Sequence, residues 1–256
     1  MRHGMRQGIV AIVVSVASGL GMLGLQVGAV ATPVAAATQD PVLLVAGTLS
    51  PEFALFPLRD RLRADGFTVY TMALPGSGLG DIAASSQAVS TKVDAIRAAT
   101  GAAKVDIVGH SQGGLENRYY LKFLGGTGKV GAYVSLGTPQ YGTVTANLAT
   151  FFGFGNCLSI VACVQMSTGS SFLANLNAGD DTPGTVRYYS IYTATDELVQ
   201  PYNNARINDG ATNILVQSYC WLRFPGHVGL ITDGAVYGLV RSALRGGTIS
   251  TNCFAL

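Results

Sequence analysis

The stretch Val105-Asp-Ile-Val-Gly-His-Ser-Gln-Gly-Gly-Leu-Glu116 determines how the rest of this chain is interpreted. Its β-branched start is typical of a buried strand, and it passes through the pattern Gly109-x-Ser111-x-Gly113 into a helical segment, 115–124. A G-x-S-x-G turn between a strand and a helix excludes side chains at both glycine positions and exposes the serine at its tip. The pattern predicts that Ser111 is a nucleophile. The alternative is a glycine-rich turn that merely contains a serine.

Extended apolar runs alternate with helical patterns along most of the chain. The predicted strands are 42–46, 67–72, 105–108, 132–136, 186–193 and 213–219, and the predicted helices are 50–66, 81–99, 115–124 and 228–244. This alternation predicts an α/β fold with a mostly parallel central sheet and helices on both faces. Right-handed crossovers bring the carboxyl ends of the strands to one edge, where ligands bind in such folds. Ser111 is therefore expected at that edge.

The first 37 residues are typical of an export signal. Arg2 and Arg6 precede an almost wholly apolar run from Gly8 to Ala31, and Ala35-Ala-Ala37 offers the small residues that a signal peptidase recognises. We therefore expect a signal peptide at 1–37, one catalytic domain at 38–256 and a secreted mature protein. The alternative is a retained membrane anchor, because the apolar run is long enough to span a bilayer.

The charge pattern argues against nucleic acid as a partner. Charged residues make up 12% of the chain, the formal net charge is +2, and no basic block is present. We expect no cofactor and no metal, and the simplest expectation for the assembly is a monomer. Low charge with many small polar residues fits a secreted protein with a neutral surface, but it does not identify a substrate.

Four cysteines follow the predicted signal peptide: Cys157, Cys163, Cys220 and Cys253. An even number in an exported chain indicates two disulfides, for which three pairings are possible. Their spacing favours Cys157–Cys163, which closes a short loop, and Cys220–Cys253, which would hold the C-terminal tail near the last strand. A metal site is the weaker interpretation, because the spacings do not fit one.

The segment 141–177 interrupts the alternation of strands and helices. It contains many apolar side chains but no clean strand. Either two helices pack on the core here, or the segment forms a small apolar cap or lid beside the serine. In the second case, we expect four of its side chains to bind substrate: Leu148, Phe151, Phe152 and Val164.

A serine hydroxyl needs a base within hydrogen-bonding reach, and the base needs a carboxylate that orients it. The chain has three histidines. His3 lies in the predicted leader, and the side chain of His110 should point away from Ser111 on so sharp a turn. His227 lies in a Gly/Pro loop between the last predicted strand and the last predicted helix. It is therefore the predicted base.

The orienting acid is predicted from its position in the sheet. Asp196 follows the strand 186–193 and so falls at the same edge as Ser111. Glu197 is the nearest rival. Asp209 precedes a glycine and is typical of a turn, while 180–181 lies before the strand rather than after it.

An oxyanion hole requires two donors that point at the oxygen on which negative charge develops. The backbone N–H of Gln112, directly after the nucleophile, is the first predicted donor. The second is expected from the loop after the first strand. There, Thr48 could donate through its backbone N–H and also through its hydroxyl.

These segments resemble the α/β-hydrolase lipases, in particular the yeast lipase B type and the small bacterial class 2 triacylglycerol lipases. The resemblance rests on Val42-Leu-Leu-Val-Ala-Gly-Thr48, on Ser111-Gln-Gly-Gly-Leu115 and, most specifically, on Tyr192-Thr-Ala-Thr-Asp-Glu-Leu-Val-Gln-Pro201. It implies an α/β-hydrolase fold, favours Asp196 over its neighbour as the acid, and supports the Cys220–Cys253 disulfide.

The sequence thus predicts a secreted serine ester hydrolase, most simply a triacylglycerol lipase that forms an acyl-enzyme on Ser111. Its partner would be an ester or lipid substrate at a lipid–water interface. The alternatives with the same triad are a short-chain esterase, a polyester hydrolase and an acyltransferase. A catalytically silent carbohydrate- or lipid-binding module is the alternative from another class, and it predicts that a fluorophosphonate will not label Ser111.

Overall fold

The computed structural model describes residues 39–144, 153, 157 and 160–256. In this part of the chain, six strands form one sheet in which every neighbouring pair is parallel. The strand order is β2-β1-β3-β4-β5-β6. The strands are β1 Val42–Val45, β2 Val69–Met72, β3 Val105–His110, β4 Val130–Leu136, β5 Arg187–Tyr192 and β6 Thr212–Leu215. The predicted α/β class and the mostly parallel sheet are confirmed.

Helices cover both faces of this sheet. Those in the described residues are α1 Phe56–Ala64, α2 Ile82–Thr100, α3 Gln112–Phe123, α4 Val161–Met166, α5 Ser171–Leu176, α6 Val216–Tyr219 and α7 Gly234–Arg245. Alternate strand residues are buried on opposite faces. Leu44 belongs to the cluster beneath α1 and α7, and Leu43 belongs to the cluster beneath α2 and α3. Because both faces of the sheet are buried, the strand sequences are continuous apolar runs, as expected for a parallel sheet covered on both sides.

The strand order creates a crevice at the carboxyl edge of the sheet. The chain passes from β1 to β2 on one side and then returns to place β3 on the other side of β1. The loops that follow β1 and β3 leave in opposite directions, and ligands in open α/β folds bind where this reversal occurs. Thr48 follows β1 and Ser111 follows β3, so both lie at this crevice.

Several predicted elements differ from the sequence pattern in their bounds. The predicted helix 50–66 is a 3₁₀ turn at Glu52–Leu55 followed by α1, and α3 begins at Gln112 rather than at 115. The last strand was predicted over 213–219, but β6 ends at Leu215, where its pairing with β5 also ends. The next residues form α6, which leads to Cys220. The predicted helix 228–244 is two elements, a 3₁₀ turn at Val228–Ile231 and then α7, because the Asp233 side chain accepts the first free N–H groups of α7.

The described part of the predicted cap consists mainly of α4 and α5, and it packs on the core. Phe172, Leu173 and Met166 share an apolar cluster with Ile82 of α2 and Leu115 of α3. Three predicted substrate-binding residues, Leu148, Phe151 and Phe152, lie outside the described residues, as does the predicted signal peptide. No helix in the described ranges has the length and apolar character needed to cross a bilayer.

Two disulfides join Cys157 to Cys163 and Cys220 to Cys253, with Cα–Cα separations of 5.4 and 5.3 Å. This is the pairing that the spacing favoured. The second disulfide ties the C-terminal segment to the end of α6. It closes a loop with a sequence separation of 33, and loops of this length gain roughly 3–4 kcal/mol of stability in the chain-entropy model.

A buried carboxyl group lies near the opposite edge of the sheet. Asp106 of β3 is 3% exposed, and one of its oxygens has no hydrogen-bond partner among the described residues. Burial raises the pKa of Asp106 to about 7. The nearby negative charge of Asp40 raises it further, while Arg187, 3.9 Å away, opposes the shift. The folded protein therefore binds a proton here at a pH where the unfolded chain does not.

This raised pKa predicts that stability falls with pH. In the unfolded chain the carboxyl group has a pKa near 3.8, so the full stabilising effect of protonation is present below that pH and is lost as the pH rises through about 7. Asp106→Asn should flatten the decline and raise the free energy of unfolding at pH 8 by about 1–4 kcal/mol. Urea unfolding at pH 5 and pH 8 measures the change. An unaltered pH slope in the variant would show that Asp106 is not the group responsible.

Candidate active site

Ser111 occupies a strained turn between β3 and α3. Its backbone has φ 53° and ψ −129°, a conformation that side-chain-bearing residues rarely adopt. The two flanking glycines permit this turn. A Cβ at Gly109 would lie 2.5 Å from the Gly114 nitrogen, and one at Gly113 would lie 2.7 Å from the Val45 carbonyl oxygen. The G-x-S-x-G pattern is therefore a steric requirement here, and such strain is characteristic of functional sites.

Asp196 and His227 form a buried pair. The imidazole Nδ1 lies 3.0 and 2.9 Å from the two carboxylate oxygens, and both residues are almost fully buried. Asp196 is itself held by the backbone N–H groups of Leu198 and Val199, which donate to Oδ1 at 2.9 and 2.8 Å. Because the carboxylate only accepts, the imidazole carries its proton on Nδ1. The lone pair of Nε2 is thus free, and no hydrogen-bond partner for it exists among the described residues.

Two other side chains hold the His227 loop, and neither role was predicted from the sequence. The Glu197 carboxylate accepts the backbone N–H of His227 at 2.9 Å. His110 Nε2 donates to the His227 carbonyl at 3.0 Å, and the two rings are 4.9 Å apart. Burial lowers the pKa of His110 to about 3, so this second imidazole stays neutral. Glu197, the rival for the acid, therefore supports the backbone of the base.

Gly137 supplies the space that the Asp196–His227 pair needs. It follows β4 with φ 55°. A Cβ there would lie 2.7 Å from Leu230 Cδ1, 3.0 Å from Asp196 Oδ2 and 3.2 Å from His227 Nδ1. The absence of a side chain is thus required by the acid–base pair, a role that the isolated glycine did not reveal in the sequence.

We expect Gly137→Ala to lower the turnover number roughly tenfold, because the added Cβ would push the carboxylate and the imidazole by a few tenths of an ångström, and a displacement of reacting groups by about 1 Å costs roughly two orders of magnitude. Gly101→Ala is the matched control: Gly101 has φ 70°, and a Cβ added there would have no atom within 4 Å, so this variant incurs the backbone strain of about 1–2 kcal/mol alone. Ester hydrolysis and thermal unfolding of both variants test this. Equal turnover in the two would contradict the role of Gly137.

The two predicted oxyanion donors lie on either side of the crevice. Gln112 is the first residue of α3, so its N–H has no partner within the helix and lies at the positive end of the helix dipole. Thr48 lies in the loop after β1, next to Gly47, where a Cβ would be 2.8 Å from Ser111 Cβ. The Thr48 hydroxyl, however, donates to the Gln112 side chain. The backbone N–H of Thr48 has no hydrogen-bond partner in the part of the chain that the structure describes, so this group, rather than the hydroxyl, is the available donor.

Two cavities meet at Ser111. The larger has a volume of about 320 Å³, and its lining includes Leu49, His110, Ser111, His227 and Ile231. The smaller, of about 20 Å³, is lined by Thr48, Ser111, Pro139, Thr143, Met166, Leu198, Val199 and His227. The structure thus brings the predicted nucleophile, base and threonine donor to one space.

Val164, the fourth predicted substrate-binding residue, lines neither cavity. It lies on the outer side of α4 and is 54% exposed, whereas Cys163 and Met166 of the same helix are buried. The disulfide and the apolar contacts of these two residues fix the inward side of the helix, so Val164 points to solvent. Met166 contributes to the smaller cavity instead.

Comparisons with known proteins find lipases among the relatives of this chain. Lipase B of Pseudozyma antarctica is 28% identical over 220 residues, which cover 81% of this chain and 62% of that protein. The triacylglycerol lipase of Burkholderia plantarii is 35% identical over 127 residues, 46% of this chain and 35% of that protein. The chain thus spans less than two thirds of the length of either relative.

Solved structures support the fold. Aspergillus fumigatus lipase B matches with a TM-score of 0.70 and 22% identity over 83% of this chain and 54% of that one. The mature form of Bacillus licheniformis lipase BlEst2 matches with a TM-score of 0.66 and 19% identity, over 82% of this chain and 93% of that one. The fold is therefore that of the α/β-hydrolase lipases, as the resemblance implied.

The model of the family described as lipase (class 2) matches residues 87–231. This match includes the Ser111 turn, Asp196 and His227, and it covers more than half of the chain. The protein belongs to the class 2 lipases.

Proposed function

We propose that this protein is a secreted serine ester hydrolase, most specifically a triacylglycerol lipase, with Ser111, His227 and Asp196 as its catalytic residues. One observation carries the proposal. The Asp196 carboxylate fixes the proton of His227 on Nδ1, Nε2 has no hydrogen-bond partner among the described residues, and His227 lines the same cavity as the strained serine. A base with a free lone pair that shares a cavity with a serine at a helix N-terminus is suited to acyl transfer.

In the first half-reaction, Ser111 Oγ attacks the ester carbonyl carbon while His227 Nε2 accepts its proton. The carbonyl electrons move to oxygen, and the backbone N–H groups of Thr48 and Gln112 stabilise that charge. Collapse of the tetrahedral species breaks the bond to the alkoxy oxygen, to which His227 returns the proton. The products are a free alcohol and an acyl ester on Ser111.

The second half-reaction uses water in place of the serine. His227 removes a proton from the water as its oxygen attacks the acyl carbon, and the oxyanion is held by the same two donors. Collapse expels Ser111 Oγ, which takes the proton back from His227. A fatty acid leaves and the enzyme is restored. If an alcohol replaces water, the same steps produce a new ester.

Exposed apolar side chains near the larger cavity support a lipid substrate. Leu49 and Val228 line this cavity and are about half exposed. Phe53 and Phe224, in the same two segments, are 67% and 62% exposed. Apolar side chains grouped around a site indicate contact with an apolar partner. We infer that the partner is aggregated lipid at a water interface. The two disulfides support an extracellular location.

A substrate series tests this function. We expect the protein to hydrolyse p-nitrophenyl esters of long as well as short acyl chains, and to cleave an emulsified triglyceride. Activity restricted to short, soluble esters would instead identify an esterase. Release of monomer from a polyester film without triglyceride cleavage would identify a polyester hydrolase, and ester formation in water with excess alcohol would identify an acyltransferase. No turnover of any of these substrates would refute the proposal.

A further inference from the structure

A buried hydrogen-bonded chain lies behind the two oxyanion donors. The Thr48 hydroxyl donates to Gln112 Oε1, and Gln112 Nε2 donates to Glu116 Oε1 at 2.8 Å. Ser85 of α2 donates to the same carboxyl oxygen at 2.8 Å. Gln112 and Glu116 are fully buried and Thr48 is nearly so. The acyl-transfer steps themselves make no use of Glu116, although a buried carboxyl group is costly to maintain.

The direction of these hydrogen bonds depends on Glu116. A side-chain amide has a donor end and an acceptor end, and Glu116 Oε1 is an acceptor that selects the donor end of Gln112. The amide oxygen of Gln112 must then face Thr48. The fit is tight, since a Cβ at Gly78 would lie 3.2 Å from both Gln112 Oε1 and Thr48 Cα. Glu116 thus decides how the start of α3 is connected to the loop after β1.

We propose that Glu116 is a positioning residue for the oxyanion hole, holding the Gln112 side chain in the orientation that anchors Thr48. The loop after β1 and the N-terminus of α3 come from distant parts of the sequence, and this chain links them. It fixes the separation of the two backbone N–H donors, which must match the oxyanion closely. The inference rests on the proposed function, because it takes Thr48 and Gln112 as the donors.

The charge on Glu116 is the second element of the argument. Burial raises the pKa of Glu116 to about 8; the hydrogen bonds from Gln112 and Ser85 oppose the shift, and the negative charge of Asp81, at the start of α2, adds to it. The carboxyl group is therefore mostly neutral at pH 7. Its proton belongs on Oε2, which has no hydrogen-bond partner among the described residues, so that Oε1 still accepts from Gln112 and Ser85. Above pH 8 it becomes an anion one side chain away from the oxyanion donors, where it opposes the charge that develops in the transition state.

Two substitutions at Glu116 separate orientation from charge. E116M removes the acceptor, so the Gln112 amide loses its fixed direction. We expect the turnover number to fall roughly 10- to 100-fold with a KM within about twofold of the wild-type value, because only the transition state uses the donors. In E116Q an amide oxygen can accept the same two hydrogen bonds. We expect its turnover number at pH 7 to lie within about threefold of wild type. In the wild type, ionisation of Glu116 should lower the turnover number above pH 8, and this decline should be absent from E116Q.

Ser85→Ala is the matched control, since it removes the other hydrogen bond to Glu116 Oε1 but leaves that from Gln112. Its turnover number should equal that of the wild type. Equal turnover in folded E116M and S85A would overturn the assignment. If E116M does not fold, the pH dependence of the E116Q turnover number is the test. A decline above pH 8 identical to that of the wild type would also overturn the assignment of Glu116. Absence of hydrolysis in the wild-type protein would instead refute the proposed function.

Discussion

Replacing Ser111 with alanine is expected to lower ester hydrolysis roughly 10⁴- to 10⁶-fold, the loss that removal of a serine nucleophile typically causes. Without Oγ no acyl-enzyme can form, and the residual rate comes from binding and from the oxyanion donors alone. The fold should persist, because alanine has a Cβ of the same size and the backbone strain at φ 53° is unchanged. Steady-state kinetics and thermal unfolding measure both effects, with a Tm within about 2 °C of wild type.

Ser77→Ala provides a matched control for this substitution. Ser77 also has a positive φ, 57°, and its carbonyl accepts the N–H of Leu49 at 2.8 Å, a contact that alanine retains. We expect wild-type kinetics from this variant. If S111A kept more than a few per cent of the wild-type rate while S77A behaved as expected, Ser111 would not be the nucleophile.

Replacing Asp196 with asparagine is expected to lower the turnover number by about 10³–10⁴-fold. Oδ1 of Asp196 accepts two backbone N–H groups, so an asparagine oxygen would keep that position. Its NH₂ group would then face His227 Nδ1, which lies 2.9 Å from Oδ2. Two donors cannot face each other, and the imidazole proton must move to Nε2. The base would thereby lose the lone pair that accepts the serine proton.

Glu197→Gln distinguishes the acid from its neighbour. An amide oxygen at position 197 can still accept the backbone N–H of His227, as the Glu197 carboxylate does. We therefore expect a loss of less than about tenfold, the scale of one weakened hydrogen bond. If E197Q lost as much turnover as D196N, or more, the assignment of Asp196 as the orienting acid would be contradicted.

The candidate triad could be predicted because each member follows from a local rule. Ser111 lies in a short motif with a steric requirement, and His227 is the histidine left after two are eliminated. Asp196 comes directly after a recognisable strand. Parallel strands carry their carboxyl ends to one edge, so these residues were expected to meet although they are far apart in sequence. The sheet itself was equally predictable, because its strands are continuous apolar runs.

The contacts that support the site could not be predicted, because they join distant parts of the fold. Thr48 and Gln112 were each predicted as oxyanion donors, but the hydrogen bond between their side chains joins positions 64 apart, and nothing near Glu116 in sequence indicates a contact with the Gln112 amide. Gly137 resembles any turn glycine until Asp196 and His227 are placed beside it. The position at which β6 ends also depends on a contact across the fold. The residues after Leu215 favour a strand, but β5, with which they would pair, ends at Tyr192.

Reaction with a fluorophosphonate, followed by peptide mapping, tests the central claim most directly. Phosphonylation of a serine requires both the nucleophile and the base that activates it. We predict one adduct on the peptide that contains Ser111, no adduct in S111A, and a labelling rate at least roughly 10³-fold lower in His227→Gln. Labelling at another residue, or labelling of Ser111 at the wild-type rate without His227, would contradict the account.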